Sequence, residues 1–139
     1  MNHSSEIAFK AWLEAEGIAI PVYTGLSAAE VGNEVQYIDC YAGDSEHVVG
    51  GLNKLSMKIV LSTPSHMDAT NDETVSLAAH KDILTTLRPF VADFESSQLE
   101  TVYNAQSGHT LAGGFFQGED ESVDEGRWIT TLNLMIGIR

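Results

Sequence analysis

The chain is poor in three things: it holds one cysteine, three prolines and only seven lysines and arginines among its 139 residues. The lone Cys40 excludes an internal disulfide. It stands among alternating apolar residues, which marks it as a small core filler, and no histidine lies in a local motif that would make it a nucleophile. The basic residues Lys10, Lys54, Lys58, Lys81, Arg88, Arg127 and Arg139 are thinly spread. They form no stripe able to neutralise phosphates, which argues against a grip on nucleic acid. No apolar run approaches the roughly 20 residues of a membrane helix. The start, Met-Asn-His-Ser-Ser-Glu, lacks the basic and apolar regions of a signal peptide. A soluble protein made in a cytoplasm, with no membrane partner, is expected.

What the chain has in excess is acid, with a formal net charge of −13. Such a surface keeps a protein soluble and repels anions. The length suits one domain, residues 1–139, with a real core.

Periodicity marks the elements. The end of the chain, Arg127 to Arg139, carries Trp128, Thr130, Leu132, Leu134, Ile136 and Ile138 at a period of two, the pattern of a strand with one face on a core. Leu52 to Thr63 repeats it, with Leu55, Met57, Ile59 and Leu61 on one face and Ser56, Lys58, Val60 and Ser62 on the other; Pro64 is expected to end it. Glu34 to Ala42 reads as a third strand, rich in branched and aromatic residues. Within it Asp39 is expected to face solvent or a partner subunit. Helix spacing runs over about residues 5–16 (Ile7, Ala8, Ala11, Trp12, Ala15), with Ser4 or Ser5 as cap and Gly17 as stop, and Trp12 anchors it to the sheet. A second helix is expected over about 73–88, with Ala79, Ile83, Leu84 and Leu87 inward, a cap from Asn71, Asp72 or Thr74, and Pro89 limiting it. Phe90, Val91 and Phe94 suggest a further half-buried turn.

The rest reads as connection. Pro21 confines Ile18–Gly25 to extended chain or an edge strand. Leu26 to Asn33 and Ser65 to Asp72 are connectors, and Gly43 to Gly51 is a loop that exposes Val48 and Val49. Glu100 to Asn104 is expected as a short strand, and Phe115-Phe116 as the start of a hairpin whose turn is the acidic Gly118–Gly126. Strands in runs, not alternating with helices, indicate an α+β fold: a mainly antiparallel β-sheet flanked on one face by two α-helices.

No catalytic, cofactor or metal constellation stands out. The five histidines, His3, His47, His66, His80 and His109, lack ligand spacing. His66 and Asp68 share a loop without a third ligand. Asp120, Ser122 and Asp124 alternate as in a calcium loop, but Glu125 replaces the required glycine and Thr131 the bidentate glutamate. Gly50-Gly51 and Gly113-Gly114 lack a phosphate-binding lysine, and no serine occupies a nucleophile elbow. A non-enzymatic protein without cofactor or metal is expected.

The order of elements, the helix pattern Asp72-Glu-x-x-Ser-Leu-Ala-Ala-His-Lys-Asp-Ile-Leu84 and the strand Trp128-Ile-Thr-Thr-Leu-Asn-Leu134 together resemble the small tail-terminator and tail-completion proteins of long-tailed bacteriophages. The likeness covers about residues 5–139 in element order and character; the acidic hairpin and the Pro21 segment are not matched to that family. It implies a virion protein of the tail and neck, made in the host cytoplasm. Such proteins form a ring, usually a homo-hexamer, at the head-proximal end of the tail tube. The ring stops tube growth and joins the tail to the head–tail connector, so the implied partners are further copies of itself, the tail tube protein and the connector protein. DNA passes through the lumen without being specifically bound. A negative lumen would suit that passage, because like charges repel over about 8–10 Å at physiological salt. On this reading Asp44, Glu46, Val48 and Val49, with Glu119, Asp120, Glu121, Asp124 and Glu125, make intersubunit or lumen contacts. An acidic inhibitor that mimics nucleic acid is the alternative, and a small hydrolase a third class.

Overall fold

The computed structural model describes residues 2–25, 35–65, 73–92, 98–124 and 126–139. The elements run α1 (Asn2–Ala15), β1 (Val22–Thr24), β2 (Tyr37–Val49), β3 (Leu52–Pro64), α2 (Glu73–Ala92), α3 (Leu99–Ser107), β4 (Leu111–Asp124) and β5 (Arg127–Ile138). The strands form one five-stranded sheet in the order β1-β2-β3-β5-β4. Every pairing is antiparallel except the parallel β1–β2. The fold is therefore α+β, as the runs of strands indicated, with β1 the edge strand that Pro21 allows.

Register explains the core. Ile59 stands opposite Leu132 and Met57 opposite Leu134, while Cys40 stands opposite Ile59 and Ile38 opposite Leu61. The period-two apolar sets of three strands thus fall on one face. Leu55, Met57, Ile59, Leu61, Leu132, Leu134, Ile136 and Ile138 are fully buried there. All three helices join the same cluster. Helix α1 contributes Phe9, Trp12 and Leu13, α2 contributes Leu84, Leu87 and Val91, and α3 contributes Leu99 and Tyr103. α1 and α3 lock together through Phe9 edge-on to Tyr103, with ring centroids 6.2 Å apart, and through a 2.7 Å hydrogen bond between Ser5 and Tyr103. Glu6 reaches from α1 to accept the Ala42 N–H of β2 at 2.9 Å, beyond the point where β1 ends.

Among the described residues the opposite face carries no helix. Its end near Arg127 is tied by polar contacts: the Arg127 guanidinium lies 4.9 Å from the Tyr37 ring centroid and donates to Ser62 Oγ at 2.6 Å. Farther along, Lys58 donates to Asn133 at 2.8 Å and Asn133 donates to Asp120 at 3.0 Å, a polar line across three strands.

Several expectations are corrected. Gly43–Gly51 is not a loop: β2 continues to Val49, and only Gly50 and Gly51 turn, with φ of +53° and +83°. Val49 pairs with Leu52 across them, which makes a two-residue hairpin turn that needs left-handed backbone at both positions. The acidic stretch is likewise strand through Asp124, not a long turn, and β4 starts before the phenylalanines, at Leu111. Two bulges, at Leu111/Gly113 and Phe116/Gly118, let it follow β5. Glu100–Asn104 is helix: α3 buries Leu99 and Tyr103 one turn apart and ends at Gly108 in the left-handed region. The helices therefore number three among the described residues.

Ser4 and Ser5 lie inside α1, which begins at Asn2, and do not cap it. Pro89 sits within α2, which runs on to Ala92. The missing N–H removes one helix bond, and the buried Val91 holds the last turn on the core. Asp39 is only 3 % exposed. Tyr37 and Tyr41, two residues to either side on the same face, flank it between β1 and β3. The connector Leu26–Asn33, the loop from His66 to Asp72, the capping positions Asn71 and Asp72, and Phe94 lie outside the described residues, and the Thr74 side chain is likewise not described.

Candidate functional site

The residues singled out for contacts fall at two ends of the sheet. β3 runs from the Gly50–Gly51 turn to Pro64, about 40 Å at the usual rise of a strand. Pro64 stands opposite Arg127, beside the β4–β5 turn. Asp44, Glu46, Val48 and Val49 are exposed on the first hairpin. Val49, at 66 % exposure, is the most exposed large apolar side chain among the described residues. Glu119, Asp120, Glu121 and Asp124 lie in the half of β4 nearest the other end, all exposed. Glu125 lies outside the described residues. The structure does not bring the two groups together within one chain.

Strand alternation then splits the acidic row. Glu119 and Glu121 stand opposite Leu132 and Thr130, on the helix side, whereas Asp120 stands opposite Thr131 on the bare side. Glu119 takes both ends of the Arg88 guanidinium, at 3.0 and 3.2 Å, and Glu121 lies 4.0 Å from it. These carboxylates hold the Arg88 guanidinium above its ordinary range, the hydrogen bond to Glu119 contributing most. Because the pair is exposed, it adds little stability. Asp124 remains at the hairpin end.

A cleft of about 540 Å³ opens where α2 faces this half of the β4–β5 hairpin. Leu77, Lys81, Leu84, Thr85 and Arg88 form one wall, because residues spaced by three, four, seven or eight share a helix face. Glu121, Val123 and Trp128 form much of the other. The sequence pattern places Leu84 in the core but does not reveal the cleft. The helical spacing of its first wall and the strand at Trp128–Thr130 are readable, while Glu121–Val123 reads as a turn and is strand.

His80 lies between α2 and the sheet, only 4 % exposed. Gln36 Nε2 donates to Thr63 Oγ1 at 2.9 Å. Thr63 Oγ1 lies 2.7 Å from His80 Nδ1, and His80 Nε2 lies 2.8 Å from Thr130 Oγ1. A neutral ring with its proton on Nε2 completes a one-way relay: Gln36 to Thr63, Thr63 to Nδ1, Nε2–H to Thr130. Burial pushes the imidazole below its usual value; Glu121 opposes that shift and Arg88 adds to it. The relay pins α2 to β3 and β5, and no hydroxyl in it is freed as a nucleophile. His80 is therefore buried against the sheet and held on both ring nitrogens.

Cys40 is fully buried, and burial first, then Asp39 and Glu6, push its thiol far above the ordinary range. That is the chemistry of a core filler. The indole N–H groups of Trp12 and Trp128 are buried and have no acceptor among the described residues. Among the described residues no three histidines, cysteines or carboxylates converge as a metal site, and no helix is long and apolar enough to cross a membrane. No protein-family model matches the chain, and no curated protein sequence matches it significantly.

Proposed function

We propose that this protein is a structural ring subunit of a phage tail: a terminator or completion protein at the head-proximal end of the tail tube. Six copies enclose a central hole, stop tube growth, join the tail to the head connector and let DNA pass. The observation that carries this reading is the one-sided construction of the sheet. Among the described residues helices cover one face only, and the edge strand β4 displays Glu119, Asp120, Glu121 and Asp124 to solvent. A face without helices and an edge strand supply surfaces for neighbours. Carboxylates of this edge, Asp120 and Asp124 among them, supply an anionic wall past which DNA slides without sticking. On this proposal the ring's partners are further copies of the chain, the tail tube protein and the connector, and its place is the neck of the virion.

Negative-stain imaging of the purified full chain tests the proposal. It expects closed rings with an open centre that retain no duplex DNA at physiological salt. Isolated single particles at every concentration would refute it. The same acidic edge favours one other reading, an inhibitor that engages a basic protein in place of nucleic acid; a one-to-one complex with such a partner and no ring would establish that instead.

A further inference from the structure

We infer that neighbouring copies are keyed by a knob and a socket: the Val48–Gly51 turn of one subunit seats in the cleft between α2 and the β4–β5 hairpin of the next. This rests on the ring reading above. The knob is an exposed apolar turn, Val48 43 % and Val49 66 % exposed, on a strand that also presents Asp44 and Glu46. The socket offers apolar Leu77, Leu84, Val123 and Trp128. On its α2 rim stands exposed Lys81, the cation offered to the acids that flank the knob. Arg88 on the same rim is held by Glu119 and partly offsets Glu121. Two valines and two glycines are a small load for about 540 Å³.

Position separates the two. The knob precedes Leu52 at one end of β3, and the socket lies level with Leu61–Thr63, which pair with Thr130–Trp128, towards the other. One chain cannot fill its own socket across roughly 30 Å of strand. Made head to tail, a contact between two different patches closes a ring or grows a filament; made reciprocally, it gives a twofold dimer, and the ring reading takes the head-to-tail form. Direct pairing of two β4 edges is disfavoured, because it sets one acidic row against another. A single turn buries less than the roughly 1,200 Å² of a stable interface. The key therefore sets register between neighbours, and their flanks supply the remaining area.

The test uses the full chain with Val49→Asp, and separately the pair Val49→Cys with Thr85→Cys; buried Cys40 does not compete. Val49 is exposed, so V49D is expected to keep the wild-type melting temperature at a dilution where both are single chains, while raising the midpoint concentration of assembly about tenfold or more, as a lost interface anchor does. The cysteine pair is expected to give a ladder of cross-linked chains on oxidation, absent from either single cysteine variant. Rings that form unchanged in V49D, with no ladder, overturn the knob and socket and leave the ring reading standing. A wild-type chain that never assembles overturns both.

Discussion

Replacing His80 with leucine tests the relay that pins α2 to the sheet. The change keeps an apolar side chain of similar bulk and removes the hydrogen bonds to Thr63 and Thr130, at 2.7 and 2.8 Å. Each contributes about 1 kcal/mol net. Thr63 keeps its donor from Gln36. Thr130, only 2 % exposed, is left with a buried unpaired hydroxyl that costs a further ~1–3 kcal/mol. A loss of about 3–5 kcal/mol follows, or roughly 10–17 °C in melting temperature for a chain of this size. Urea unfolding at fixed protein concentration reads it, since assembly would otherwise shift the midpoint.

The pH dependence is the sharper readout. The folded-state pKa of His80 lies below its ordinary 6.5, so between the two values the unfolded chain binds the extra proton. The contribution of neutral His80 is complete above about pH 6.5 and is lost as the pH falls through the folded value. The difference in stability between wild type and H80L is therefore expected to shrink from pH 7.5 to pH 5, with a slope of at most about 1.4 kcal/mol per pH unit for one proton. Carboxylates common to both proteins cancel in that difference. A constant difference across the range would refute the relay, as would an H80L variant as stable as wild type at pH 7.5.

Three further outcomes follow from packing and charge. Arg88→Ala removes a double hydrogen bond to Glu119, but the pair is exposed, so urea unfolding should show a loss under about 1 kcal/mol; a larger loss would mean the pair is more enclosed than it is here. Trp12→Ala should cost about 3–5 kcal/mol from the core between α1 and the sheet. Trp12→Phe should cost clearly less, because the indole N–H it deletes has no acceptor among the described residues; equal losses in unfolding curves would contradict this. Cys40 should resist a thiol reagent in the native protein at pH 8 and react fully in denaturant, since it is wholly buried with its thiolate disfavoured. Rapid labelling of the folded chain would place it elsewhere.

The sequence was legible where one face of an element meets the core. β3 and β5 follow from the period-two sets Leu55–Leu61 and Leu132–Ile138, and α1 from its 3.6-residue pattern around Trp12. It was misleading where an element has no buried face. Asp44 to Val49 and Glu119 to Asp124 are exposed along their whole length, so nothing in their polarity distinguishes strand from loop; hydrogen bonding to β3 and β5 makes them strands. α3 escaped notice because Thr101, Val102 and Tyr103 favour strands locally, while the burial of Leu99 and Tyr103 against α1 decides for helix. Pro89 pointed to a helix end that tertiary packing overrides. Exposure and charge single out Val48, Val49, Glu119, Asp120, Glu121 and Asp124, and the structure places each of them at the surface. That Arg88 would hold Glu119, and that a cleft would open beside them, required the register of β4 on β5, which two bulges shift out of any simple count.

The most direct measurement is the native mass of the full chain across a concentration series at physiological salt. The account predicts a cooperative passage from single chains to one closed species of six, with no dimer or open series accumulating between. A chain that stays monomeric to high concentration, or that stops at a twofold dimer, would contradict it.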